Sequence, residues 1–331
     1  MRSPKNIKMA DIARKLNVSI VSVSKALSGK EGVSDQTRKK ILAMAKEMGY
    51  MKHSTDVLQG EADTVIVMVA QRFFGDSSFY SQMYNSLLQN LNGEGYTTVL
   101  EIVSQVREQN NYMPPSLGKK NVVGIIFMGE MARPYINEVA KTGIPYMFLD
   151  FYDSNYCVNS VSSDSMKGAY LMTKHLIEQN LTDITFVGSI DMTSSIMDRY
   201  LGYVRAMTLS GLSDKIKWLP DRNTETGKFI KVPLPDSLPQ AFFCNNDSIA
   251  FLLIQQLHDR NISVPEDISV LGFDDSNISR ISNPTISTYQ VDIPSMTQIS
   301  VDVLKTMLKH KDVVYKQISV PGKVLYRESS K

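Results

Sequence analysis

The chain has 331 residues, against roughly 100–200 for a typical domain, so it can hold two or three packed units with substantial cores. Hydrophobic residues make up 43% and charged residues 21%, an ordinary balance for a soluble protein, and no apolar run reaches the ~18 residues of a transmembrane helix. The net charge of +2 hides an asymmetry: residues 1–60 carry 12 Lys/Arg against 5 Asp/Glu, and the remainder carries 24 against 29. A basic head on an acidic body points to a polyanionic partner for the head, although a solvated basic face explains the charge alone equally well. The opening Met1-Arg2-Ser3-Pro4-Lys5-Asn6 is basic but leads into no apolar segment, so no secretory signal is expected and a cytoplasmic location is. Cys157 and Cys244 lie in apolar runs without metal-ligand spacing, which reads as two buried free thiols.

Residues 7–50 predict three short helices. The first covers Met9–Leu16, with Ile12, Ala13 and Leu16 on one face; Ser19 caps a second that runs to Leu27. Gly29 and Gly32 break the chain, Ser34 caps a third helix with Ile41, Leu42, Ala45 and Met48 as its inner stripe, and Gly49 ends it. Residues 51–63 are polar and unpatterned apart from Val57-Leu58, the signature of a linker. From Val65 the pattern changes. Strands are predicted at 65–70, 97–103, 122–128, 145–151, 184–188, 241–244 and 268–273, and helices at 79–93, 132–142, 165–179, 198–210, 247–260 and 295–309. Such alternation implies βαβ units and parallel sheets covered on both faces. The body is long for one such sheet, so two sheets flanking a cleft are expected. The resulting organisation is a head at 1–50, a hinge or linker at 51–63 and a body at 64–331. Within the body, one lobe spans about 64–160 and 291–318, and the other about 161–290 and 319–331.

Two helices joined by a short turn form a helix-turn-helix pattern. Wound at 100° per residue, the second helix puts Val23, Ala26 and Leu27 on the inner side and Val21 and Lys25 opposite, flanked by Ser22 and Ser24. The outer side suits a major groove. Lys25 can bond guanine O6 and N7, Val21 can touch a thymine methyl, and the serine hydroxyls of Ser19 and Ser22 can reach phosphate. Ile20 lies on the flank, open to either core or contact.

The body places polar groups after its strands, where open α/β sheets bind ligands. Asp150 follows one predicted strand, Asn245-Asn246-Asp247 another and Asp274-Asp275 a third; Arg199 follows the loop after 184–188. An aromatic loop with Phe73, Phe74, Phe79 and Tyr80 follows the first. Each group has a plain structural alternative, as helix cap, turn former or internal partner. Together they make a ring of hydrogen-bonding groups beside flat apolar walls, fit for a small polar ligand. The four histidines (His53, His175, His258, His310) fall outside the cleft loops, and no metal spacing, nucleophile elbow or phosphate loop occurs. No enzyme activity, cofactor or metal is therefore expected.

The run Ile7-Lys8-Met9-Ala10-Asp11-Ile12-Ala13, the run Val18 to Gly29 and the run Gly32-Val33-Ser34 to Met48-Gly49-Tyr50 resemble the opening of the lac repressor (LacI/GalR) family of bacterial transcription regulators. In the body, Arg199-Tyr200-Leu201-Gly202-Tyr203 resembles the family's Arg-x-x-Gly-Tyr motif, and Asn245-Asn246-Asp247-x-x-Ala250 its Ala-Asn-Asp-x-x-Ala motif. Val264 to Asp275 matches its most recognisable run, and the likeness continues to about residue 295. The resemblance implies an all-α helix-turn-helix head on an α/β body of two doubly wound parallel-sheet subdomains, like the periplasmic binding proteins. It implies a homodimer on a near-palindromic double-stranded operator, most simply a repressor answering to a small effector of the sugar class, with no membrane role. A solute-binding sensor of the same body fold, without DNA regulation, is the alternative.

Carried over residue by residue, the resemblance assigns base contacts to Ile20, Val21 and Lys25. The family commonly has polar or aromatic residues at the first two positions and Arg at the third, so the operator sequence is left open. It assigns effector contacts to Arg199, Asn246 and Asp274, and a wall position to Phe79. Asp150 and Asp164 are weaker transfers, and Asp164 can equally be the cap of the next helix. The family's Ala-Arg-x-Leu-like hinge, which wedges a leucine into the minor groove, is replaced here by His53-Ser54-Thr55-Asp56-Val57-Leu58. Leu58 is the available wedge.

Overall fold

Ile12 and Ala13, Val23 and Ala26, and Ile41 and Ala45 pair up at helical spacings, and in the computed structural model they are the buried core of a three-helix head. The structure describes residues 9–27, 32–48, 62–74, 78–119, 121–224, 226–309 and 315–331. They fall into two compact units, Met1–Ala62 and Asp63–Lys331. Leu58, and with it the expected wedge, lies outside the described residues, as do Gly29 and Gly49.

In the head, α1 (Met9–Leu16), α2 (Ile20–Leu27) and α3 (Asp35–Glu47) form as the pattern predicts. Asn17 adopts φ +51°, turning the chain between α1 and α2. Ser19 caps α2 by accepting the Ser22 N–H at 3.0 Å, and Ser34 caps α3 through the Thr37 N–H at 3.3 Å. From α3, Arg38 donates to the carbonyls of Lys25 and Ala26 at 3.4 and 3.3 Å, serving the open end of α2. One expectation fails: Leu42 is exposed. On a helix it stands 100° from Ile41, whereas Ala45 and Met48 stay within about 40° of it. Met44 packs into the stripe instead.

The body is built on three sheets. Strands β1 (Thr64–Ala70), β2 (Thr97–Val103), β3 (Val122–Met128), β4 (Tyr146–Leu149), β5 (Ser160–Ser163) and β11 (Gln317–Val320) form one six-stranded sheet, in the order β11-β5-β4-β3-β1-β2. Strands β6 (Ile184–Val187), β7 (Lys217–Leu219), β8 (Ala241–Cys244) and β9 (Ser269–Leu271) form a second, ordered β7-β6-β8-β9. Every pairing in both is parallel. The antiparallel ribbon of β10 (Thr288–Gln290) and β12 (Lys323–Leu325) is the third. β5 and β11 lie across the lobe limits placed at 160/161 and 318/319, and both pair in the first sheet.

The helices are α4 (Gln71–Phe74), α5 (Ser78–Gly93), α6 (Gln105–Gln109), α7 (Arg133–Ala140), α8 (Ser165–Glu178), α9 (Ser194–Leu209), α10 (Asp247–His258), α11 (Asn277–Ile281) and α12 (Ile293–Lys309). β1 shows how the layers form. Val65, Val67 and Val69 face α5 and α12, while Ile66, Met68 and Ala70 face α7. Both sets are fully buried, the mark of a central parallel strand. In the second sheet, Phe242, Cys244 and Val270 pack on α10, and Phe186 and Phe243 pack toward α8 and α9.

The pattern missed strands β5, β7, β10, β11 and β12, which are short or polar. β5 reads Ser-Val-Ser-Ser yet is buried throughout. Cys157 is exposed, against expectation, because it lies in the irregular stretch between β4 and β5; Cys244 is buried. Among the described residues, no helix is long and apolar enough to cross a membrane, and no cluster of three or more His, Cys, Asp or Glu is placed to hold a metal.

Candidate functional site

On α2, Val23 and Ala26 turn inward, and Ile20 and Val21 stand 52% and 55% exposed. Ser19 is exposed with its Oγ engaged as the helix cap, 2.9 Å from the Ser22 hydroxyl. Lys25 is half-buried: its stem folds over Gly32, where a Cβ would lie 2.9 Å from Nζ. The ammonium must swing away from that turn to reach a base edge.

The body's cleft lies between the carboxyl ends of the two large sheets, as open α/β architecture requires. Asp150 follows β4 and Asp274 follows β9, both with positive φ, +69° and +105°. Asp tolerates that region better than most residues, but Asp274 lies well beyond the usual left-handed range of about +50 to +70°. Arg199 comes from α9, which begins four residues earlier than predicted because Thr193 caps it by accepting the Ile196 N–H at 3.2 Å. Within the motif, Gly202 lets α9 press on α8, since a Cβ would come within 2.2 Å of the Met166 carbonyl. The Tyr203 hydroxyl donates to the Ile184 carbonyl at 2.8 Å and anchors α9 to β6.

Arg199 is 5% exposed. Its Nη2 lies 3.0 Å from Asp274 Oδ1, its Nη1 donates to the Asn245 carbonyl, and its guanidinium lies 4.0 Å over the Phe273 ring. Yet Arg199 Nε has no acceptor, and Asp274 Oδ1 accepts no aligned hydrogen bond. Buried polar atoms are nearly always satisfied, which leaves Arg199 Nε as a donor open to a ligand's acceptor. Opposite, Tyr80 donates to Asp150 Oδ2 at 2.8 Å and carries Phe73 and Phe79 at 5.4 and 5.2 Å between ring centres. Burial raises Asp274 to about 6 and Asp150 to about 7, with Arg199 opposing in both cases.

Phe79, Asp150, Arg199, Asn246 and Asp274 line this one cavity. Asn246 is largely engaged, capping α10 through the Ile249 N–H at 2.9 Å and donating to Asn245 at 2.9 Å. Asp164 is not among the lining residues; it caps α8 by accepting the Lys167 N–H at 3.3 Å. The neighbours of two site residues are structural. Asp247 is fully buried and joins Ser276 and Thr288 to α10, with burial raising its pKa to about 8. Asp275 turns from the cleft onto Arg280 and Arg327.

Two contributors escaped the sequence reading. Arg222 lines the cavity with both Nε and Nη2 on Asp221, over the Phe229 ring at 5.0 Å. Asp221 and Arg222 follow β7, a strand whose partly exposed Lys-Trp-Leu sequence gave no strand signal. Arg72, directly after β1, was findable by the carboxyl-end rule. Across the cleft, Glu130 accepts the Ser194 N–H at 2.8 Å and Tyr152 donates to Asp198 at 2.7 Å, tying the loops after β3 and β4 to α9.

Residues 8–52 match the bacterial regulatory proteins of the lacI family, and residues 173–330 match the periplasmic binding protein-like domain. Catabolite control protein A of Priestia megaterium is 24% identical, over 98% of this chain and all of its own length. The lac repressor dimer bound to operator and the anti-inducer ONPF aligns with a TM-score of 0.70 at 20% identity, over 98% of this chain and 99% of its own. The transcriptional regulator CelR-cellobiose complex aligns at 0.69 and 19%, with the same coverage.

Proposed function

We propose that this chain is a ligand-responsive DNA-binding transcription regulator of the LacI type, and that its effector is an uncharged, hydroxyl-rich molecule of the sugar class, held in the body's cleft. The observation that carries this is the buried Arg199–Asp274 pair in the cavity wall, with Arg199 Nε lacking an acceptor. The cleft's other arginines are taken: Arg72 pairs with Glu108 and Arg222 with Asp221. Asp150 has no salt-bridge partner among the described residues, only the Tyr80 hydroxyl. A phosphorylated ligand would meet excess carboxylate, whereas sugar hydroxyls donate to carboxylates and stack their apolar faces on aromatic rings. One structural relative was solved with cellobiose bound.

The protein acts as a cytoplasmic homodimer, and as a repressor, with one head in each half-site of a near-palindromic operator. Ile20 and Val21 offer apolar contacts to thymine methyls, Lys25 reads guanine, Ser19 and Ser22 meet phosphate, and Leu58 enters the minor groove. The cleft binds and performs no chemistry. The effector acts by favouring one arrangement of the lobes; an effector that lowers operator affinity must itself bind the operator complex less well. A solute-binding sensor without DNA regulation leaves the lacI-type head unexplained.

The test is operator affinity against salt, with unphosphorylated and phosphorylated sugars added in turn. Log K should fall with log salt at about −0.9 per neutralised phosphate, and one neutral sugar should shift affinity. A response confined to phosphorylated sugars or nucleotides would sink the effector assignment.

A further inference from the structure

Beyond Arg72 and Gly227 the cleft continues into a second chamber. Its cavity volume is about 620 Å³, against about 80 Å³ for the inner one. It obeys the same topological rule, since its walls come from the segments after β1, β2 and β3 of one sheet and after β6 and β7 of the other. The two chambers are therefore lengths of one crevice between two rows of strand ends. Small-ligand pockets typically enclose ~300–1,000 Å³, so the outer chamber by itself has the room of a ligand pocket.

The chemistry changes along the crevice. The inner chamber has buried ions and aromatic rings. The outer one is lined by Gln71, Gln105 and Gln109 from α4 and α6 and by Thr224 and Thr226 after β7, with Glu130 and Lys228 among them. Amides and hydroxyls both donate and accept hydrogen bonds, as sugar hydroxyls do. Met131 and Met192 add apolar surface on either side. Arg72 stands at the junction as a fixed planar donor: Nη2 reaches Glu108 Oε1 at 3.2 Å and the Glu130 carbonyl at 2.8 Å. Glu108 is 5% exposed and also accepts the Ala132 N–H at 2.6 Å, so it holds Arg72 rigidly. Gly227 closes the junction from the other lobe, where a Cβ would sit 3.4 Å from Arg72 Cδ.

We propose that the outer chamber is a second saccharide subsite, so that the effector is a two-ring glycoside whose linkage passes Arg72. The inference rests on the sugar reading above and gives it a size. It is tested by calorimetric titration of the full chain with glucose and galactose, and with cellobiose, maltose and lactose. One disaccharide should bind at least about tenfold more tightly than its own component sugars. Gln109→Trp, with Gln71→Trp as an independent second filling of the chamber, should weaken that disaccharide about tenfold and leave the single sugars within about twofold. A monosaccharide binding as tightly as every disaccharide, or disaccharide binding unmoved in both variants, overturns the subsite. Binding of no sugar of either size, with operator affinity answering to another ligand class, overturns the sugar reading itself.

Discussion

The outward face of α2 and the cleft of the body are built on opposite terms. Ile20 and Val21 are more than half exposed and Ser19 is exposed, whereas Arg199 and Asp150 are 5% and 3% exposed inside a ring of internal partners. The first surface gains its energy on contact, by dehydrating methyl groups and releasing counterions, and owes little to the fold behind it. The second has already lost its solvation during folding and depends on its partners. Substitutions of the outward side chains Ile20, Val21 and Lys25 should therefore change binding with little change in stability, while those in the cleft should change both.

Asp274→Ala tests that contrast hardest. It leaves the Arg199 charge buried without its carboxylate, a loss of about 3–5 kcal/mol for breaking such a pair. Effector affinity should drop at least about a hundredfold and the melting temperature should fall, while operator binding without effector persists at permissive temperature. An intact effector response would remove Asp274 from the site.

A pH series sharpens the contrast next. Burial holds Asp150 at about 7 and Asp247 at about 8 in the fold, above the ~3.9 of an unfolded aspartate. Raised folded values mean that the native state binds the extra protons, so these groups stabilise the ligand-free protein most at acid pH. That contribution is lost as pH rises from about 4 toward 8. A ligand donating hydroxyls to ionised Asp150 and Asp274 should bind about tenfold or more tightly at pH 8 than at pH 5.5. Asp150→Asn should flatten that rise, and an unchanged slope would argue that Asp150 does not face the ligand.

Lys25→Ala should cost about 1–3 kcal/mol on the specific operator and less on random DNA, with thermal stability preserved. Equal losses on both DNAs would leave Lys25 a phosphate contact. The smallest expected effect is Ser19→Ala: about 1 kcal/mol of stability from the lost cap, read by denaturant unfolding of the head signal.

Much of this was legible in sequence, for reasons that particular residues make plain. β1 alternates Val65, Val67, Val69 against Ile66, Met68, Ala70, and either face would announce a buried strand. Ser19 and Ser34 announce helix starts through chemistry confined to four residues. By contrast, β5 is a Ser-rich strand buried because β4 and β11 pair on its two sides, and nothing within Ser160–Ser163 records those neighbours. Leu42 is as apolar as Ile41 but stands 100° from it, so hydrophobicity without angle does not tell the exposed residue from the buried one. Arg222 was missed because it follows a strand, β7, that earns its pairing from β6 rather than from its own residues.

The adjacent pair Asp274 and Asp275 divides the two kinds of knowledge most clearly. Local chemistry, which acts over one helical turn or one strand end, set the helix-turn-helix head, the parallel αβ order and the polar groups after strands. Those features needed only the sequence. Which carboxylate turns into the cleft and which onto Arg280 and Arg327 depended on where β10 and the C-terminal segment return beside β9. So did the seating of Asp221, and with it Arg222, against Ser189 and Asn245. These are contacts between segments tens of residues apart, and a side chain's charge and direction there are decided by what the completed fold brings against it.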